Sequence, residues 1–199
     1  MPKLTNALLA LCSCAVFVSC QKETEEGPAP APFFGKYKVI SITGTSVATV
    51  WMKEGGVTDS TVTRTNFTSA QHTGTMTLDA TKVTSDKLGY LYNCDMEGKS
   101  YMNGQLFNTM EFELPIDVPT SSGSVPYKVV GNDSVYFDKG SMIMLDTELE
   151  TAPVGAKLKL EGNRLSMTMK SNMATSELEQ GVRVNYKTEA TATITLEKL

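Results

Sequence analysis

The clearest pattern in the chain is strict alternation of apolar and polar positions. Ala190, Ala192, Ile194 and Leu196 alternate with Thr191, Thr193, Thr195 and Glu197, so a strand here buries one face and wets the other. Val182, Val184 and Tyr186 alternate with Arg183, Asn185 and Lys187 in the same way. Only Thr188 and Glu189 separate these runs, which makes them either a tight hairpin or one long bent strand. Leu158 and Leu160, then Leu165, Met167 and Met169, flank Gly162-Asn163 and give the strongest hairpin signal. A similar pair flanks Gly131-Asn132-Asp133. Leu106, Met110, Phe112 and Leu114 share one parity with Asn108 as the exception, and Pro115 predicts that this strand ends there or lies at an edge. Further runs cover 36–43, 46–52, 58–66, 73–79 and 88–93.

About ten candidate strands joined by short turns predict an all-β fold, an antiparallel up-and-down barrel of about eight to ten strands, with a β-sandwich as the alternative. Helix is expected only over 171–180, where Met173, Glu177, Leu178 and Glu179 allow a turn or two before Gly181. The chain shows no period of the solenoid or propeller kind.

Composition narrows the function classes. The 199 residues carry 18 Lys and Arg against 22 Asp and Glu, which leaves no basic field for a phosphate backbone and argues against nucleic acid as a partner. Four Cys and one His are too few for a disulfide framework or a Cys/His metal module. No metal, cofactor or catalytic set is expected.

The N-terminus reads as an address. Lys3 and the apolar run 7–18 have the form of a secretory leader over 1–19, too short to span a bilayer comfortably. Phe17-Val18-Ser19-Cys20 resembles the lipobox of bacterial lipoproteins. The resemblance implies cleavage between Ser19 and Cys20 and acylation of the Cys20 thiol with palmitate-type chains. Each buried CH₂ adds about 0.8 kcal/mol, so several chains make a stable anchor. Gln21, Lys22, Glu23, Glu25 and Glu26 follow at once, and this stretch resembles the Lys-plus-acidic export signal of Bacteroidetes lipoproteins, which implies the outer face of the outer membrane. A solvated spacer is the plainer reading of such a charge run. The segment 20–32, ending in Gly-Pro-Ala-Pro-Ala-Pro, is a semi-rigid tether, and 33–199 is the folded domain.

Phe34-Gly35-Lys36-Tyr37-Lys38-Val39 opens the first strand and resembles the Gly-x-Trp start of lipocalin-like domains, with Gly35 and Tyr37 at the motif positions and Lys198 as the basic residue near the last strand. The resemblance implies a barrel whose mouth holds a small apolar ligand, with Met110, Phe112, Met167 and Met169 as candidate pocket residues. The plainer alternative is that they fill a solid core.

Other chemistry is thin. His72 is the one general base near neutrality, and a Cys94/His72/Asp95 nucleophilic set lacks any local signature. Glu111 and Glu113 share a strand face opposite Phe112 and Leu114, as solvent-facing residues do. Asp133 and Asp138 read as turn residues rather than calcium ligands. Asp59-Ser60-Thr61 and Asp133-Ser134-Val135 resemble the short O-glycosylation sequon of exported Bacteroidetes proteins. Trp51 with Tyr90 and Tyr92 could stack sugars if exposed, or plug the core. The combined expectation is a non-enzymatic, surface-exposed, lipid-anchored outer-membrane lipoprotein that binds a small apolar molecule. The rival is an adhesive or glycan-contacting β-domain with a solid core.

Overall fold

The computed structural model describes residues 31–138 and 153–199. Among these the chain forms nine antiparallel strands: β1 (Gly35–Glu54), β2 (Val57–Leu78), β3 (Lys82–Met102), β4 (Gln105–Pro126), β5 (Lys128–Val130), β6 (Ser134–Phe137), β7 (Val154–Glu161), β8 (Arg164–Glu179) and β9 (Val182–Lys198). They make one up-and-down sheet in the order β4-β3-β2-β1-β9-β8-β7-β6-β5. The sandwich alternative is set aside by this topology, because both terminal strands of the order belong to one stretch of chain. Tyr127 alone separates β4, which pairs with β3, from β5, which pairs with β6. Its N–H donates to the Thr81 carbonyl at 2.8 Å, so the two edges of the sheet meet at this residue and close that end like a barrel.

The core lies at this closed end. Inward-facing Tyr37, Val39, Met76, Leu78, Val83, Val135, Phe137, Leu165, Met167, Ile194 and Leu196 are all buried. Phe33, just ahead of β1, lies under them, and Tyr37, at 0% exposure, donates its hydroxyl to the Phe33 carbonyl at 2.8 Å. The described chain therefore enters the sheet at the closed end. Tyr127 stacks edge-on against Phe137, and burial, then Asp79 and Tyr37, push its phenol up to about 12. Asp79 itself shapes the β2–β3 turn by accepting the N–H groups of Thr81 and Lys82 at 2.8 and 2.9 Å.

Strand continuity differs from the pattern read along the chain. The runs 36–43 and 46–52 are one strand, as are 58–66 with 73–79, and β9 passes through Thr188 and Glu189 unbroken. Register runs unbroken through Gly44-Thr45 and through Thr188-Glu189, and only the break in β2 is a bulge. Between Ala70 and Thr75 the register slips twice, with Gln71 left-handed (φ 54°) and Gly74 so close to β3 that a Cβ would stand 2.2 Å from the Lys87 carbonyl oxygen. The helix expected over 171–180 is instead the far part of β8. Ser171 to Glu179 pair residue by residue with Ala190 to Val182 of β9, and cross-strand pairing outweighs a weak local preference. Pro115 lies within β4, which has no second partner over that length among the described residues, so the expected edge position holds.

The outward faces carry Thr, Ser, Lys, Asp and Glu. The central row runs Thr168, Thr193, Thr43 and Thr68 across four strands, with Thr168 and Thr193 hydroxyls 3.0 Å apart. Lys38–Glu197, Lys99–Glu97 and Lys187–Glu189 ion pairs decorate the same surface, each worth roughly 0–1 kcal/mol. This is a water-facing pattern, the reverse of the apolar-out alternation of membrane-spanning barrels.

Stability should be concentrated where the core is. Leu196→Ala is expected to cost about 2–5 kcal/mol in urea unfolding. Met110→Ala, on the far part of β4, is expected to cost under about 1 kcal/mol.

Candidate functional site: the open end of the sheet

Six strands run well past the core. The first three hold 20, 22 and 21 residues, roughly 70 Å at 3.3 Å per residue, while β5, β6 and β7 are short. The far half of the inner face is thus a trough open on the side between β4 and β8. Register gives its rows. Cys94, Phe67, Gly44 and Ala192 lie side by side, then Met96, Thr65, Ser46 and Ala190, then Gly98, Thr63, Ala48 and Thr188. Small side chains form the floor along β1 and β9. Met96, Met110 and Phe112 stand on one wall and Met173 on the other.

The solid core ends at an aromatic septum. Phe67 packs edge-on against Tyr92 at 5.4 Å, and Tyr92 against Tyr90 at 5.0 Å. The Phe67 ring lies directly over Gly44, where a Cβ would meet its Cζ at 2.2 Å. Burial raises both tyrosine phenols. Beyond the trough, at the tip, the strand ends border an open recess of about 480 Å³. Trp51, Asp59, Tyr101, Phe107, Glu179 and Tyr186 are among its lining residues. The Tyr186 hydroxyl donates to Glu179, which pushes that phenol up to about 12.

Of the residues singled out in the sequence, Ser19, Cys20, Gln21, Lys22, Glu23, Glu25 and Glu26 lie outside the described residues. Gly35 and Tyr37 sit at the closed end. Lys198 pairs with Tyr37 and packs over Gly35, where a Cβ would be 2.9 Å from its Cε. The four candidate pocket residues divide. Met167 and Met169 are buried in the core, whereas Met110 and Phe112 are 54% and 49% exposed on the trough wall. They do not line one pocket. Glu111 and Glu113 share the outer face, opposite Phe112 and Leu114. Asp133 pairs with Lys157 and Asp138 with Lys128 at exposed positions. Trp51 is at the tip, far along the strands from Tyr90 and Tyr92, so these three form no common platform.

His72 sits in the β2 bulge with Nε2 2.7 Å from Ser69 Oγ. That oxygen also accepts the Ile42 N–H at 2.6 Å, replacing a ladder bond where β1 slips register. His72 thus braces a bulge, and Ser69 rather than Cys94 is its partner. Burial, then Asp95, pushes the Cys94 thiol up, away from the low values of activated thiols. Nothing in the sequence grouped the tip residues Asp59, Glu179 and Tyr186: Asp59 stands in the sequon-like Asp59-Ser60-Thr61, and Glu179 in the stretch expected to be helical. The two-residue turns Asn103-Gly104 and Gln180-Gly181, with both residues left-handed in each, could have located the tips beside them.

No family model and no curated protein matches the chain. Among solved structures it is similar to the translocator domain of autotransporter NalP from Neisseria meningitidis, with 9% identity over 79% of this chain and 88% of that one. The TM-score is 0.22, too loose a superposition to carry any argument about fold or function.

Burial lowers the His72 pKa below its ordinary 6.5. The unfolded chain then binds the proton more readily, so this residue's contribution to stability is full above about 6.5 and is lost as pH falls toward the folded value. Urea midpoints are expected to drop between about pH 7 and 5, and His72→Gln should flatten that part of the profile.

Proposed function

We propose that this chain is a lipid-anchored outer-membrane lipoprotein with a lipocalin-like domain, and that its open end receives a small molecule with an apolar body. The observation that carries the ligand reading is the uncovered inner face of the far half. A trough with a floor of Ser46, Ala48 and Ala190 and walls of Met96, Met110, Phe112 and Met173 continues directly from a packed core. Flexible thioethers suit ligands of variable shape. The Gly35, Tyr37 and Lys198 arrangement at the closed end supports the family resemblance. The reading is of a binding protein rather than an enzyme, in keeping with His72 bonded to Ser69 and a Cys94 thiol held in its neutral form.

The lipobox ending at Cys20 and the acidic stretch after it support the anchor and surface export. A polar outer face supports attachment through lipid rather than through the strands. Eleven residue-to-residue steps separate Cys20 from Ala31, a reach of at most about 40 Å. Because the described chain enters the sheet at the closed end, the trough then points away from the membrane.

Three measurements test the reading. Cys20→Ser should abolish palmitate labelling, and protease added to intact cells should remove the wild-type protein. Persistence of the label would overturn the anchor, and survival under protease would overturn surface exposure. Mass spectrometry of an organic extract from protein purified out of its native membranes should reveal a co-purifying small molecule near one per chain. Repeatedly empty extracts would favour the rival adhesive reading.

A further inference from the structure

Independently of any ligand in the trough, we propose that the edge of β4 over 105–114 docks an extended segment of another protein, a strand with alternate apolar side chains turned inward and lysines or arginines turned outward. β4 is the terminal strand of the sheet and pairs along this length on one side only, with β3. The backbone groups of its other side have no strand partner among the described residues, and such an edge is a template for a further strand. Pro115 has no N–H to give and limits the ladder at one end, while the Asn103-Gly104 turn limits it at the other.

The two faces of this edge define the partner. Register with β3 turns Met110, Phe112 and Leu114 inward and Glu111 and Glu113 outward. Six of the sixteen large apolar side chains left exposed among the described residues lie on β4, so the uncovered stripe belongs to this strand and not to the surface at large. Inward residues of an added strand would lie directly against it and continue the trough wall. The outward row is acidic. Glu111 stands opposite Glu97 and Glu113 opposite Asp95, an arrangement of like charges that destabilises neighbouring strands. Lys99 pairs with Glu97, and Arg64 lies beyond it on β2. The row of Asp95 and Glu113 continues to Asn66 and has no base. Lysines or arginines on an added strand would supply the missing opposite charge beside both glutamates.

The same row disfavours the other occupants. Two copies related by a two-fold centred on Phe112 would set Glu111 of each against Glu113 of the other. The chain's own residues 139–152 carry Lys139 against Asp146, Glu148 and Glu150, again the wrong sign. Edge carboxylates thus repel self-pairing and select a basic strand, attraction and repulsion acting together as specificity requires.

The full chain would be titrated, by fluorescence anisotropy, into labelled acetyl-Lys-Val-Lys-Val-Lys-Val-Lys-amide. Saturable binding of about one peptide per chain is expected. A peptide of the same composition with its lysines in one block should bind at least about tenfold more weakly, and the alternating Glu-Val peptide more weakly still. N-methylation of the valine amides and of the lysine amides blocks opposite edges of the peptide, so one form should lose binding and the other keep it. The double variant Glu111→Gln, Glu113→Gln, checked for folding by its urea midpoint, should weaken the basic peptide about tenfold. Equal binding of the block peptide, both methylated forms behaving alike, or undiminished binding in the folded variant would overturn the proposal. So would a sedimentation dimer that the peptide does not dissociate, which gives the edge to a second copy. Binding that appears only when 139–152 is replaced by a Gly-Ser linker of equal length would assign the edge to the chain itself and overturn it too.

Discussion

The single extended stretch that serves both edges of the sheet, β4 running through Tyr127 into β5, is the constraint on which the rest depends. A free sheet edge exposes unpaired N–H and C=O groups, and one apolar face of an open sheet cannot cover itself. Sharing one stretch between β3 and β6 solves both problems at one end. It brings Phe137 and Val135 over Leu78, Val83 and Leu196, and it holds Tyr127 between Phe137 and the Asp79 turn. Phe33 and Tyr37 then plug the end from below. The core is solid because the ring is closed there, and the far half is uncovered because β5 to β7 stop short.

That asymmetry orders stability along the strands. Residues below the Phe67–Tyr92 septum lie in a mutually packed cluster, while those above it hold one another mainly through ladder hydrogen bonds and half-exposed side chains. Local opening is easiest where few apolar contacts back the ladder, so the far parts of β4 and β8 are the segments that open first. A binding surface built there can vary without disturbing the closed end.

Much of this was legible in the alternation. The faces of β9, β7 and β8, the Gly131 and Gly162 turns and the up-and-down order follow from period two and turn chemistry. What misled was punctuation. Gly44 and Gly74 look like breaks but are close approaches, one to a ring and one to a carbonyl oxygen. The 171–180 stretch looked helical because Ser171, Met173, Thr175 and Glu177 present no strongly apolar face, and only their pairing with β9 makes them a strand. Which methionines line the trough was not legible. Met167 and Met110 have the same character in sequence, and the ring closure alone decides that one is core and the other wall. Asp59, Glu179 and Tyr186 come to border one recess only through register across several strands, information that no local window contains.

The described rim of the open end is made of three two-residue turns, Gly55-Gly56, Asn103-Gly104 and Gln180-Gly181. Binding sites on most scaffolds diversify by lengthening loops, which tolerate insertion cheaply. These turns leave no such slack, since an added residue would break the left-handed pairs that join the strands. New specificities in this architecture would have to arise by point substitution on strand positions, with a step of two residues along a strand and one strand across as the unit of change. The site would evolve as a mosaic on a fixed grid.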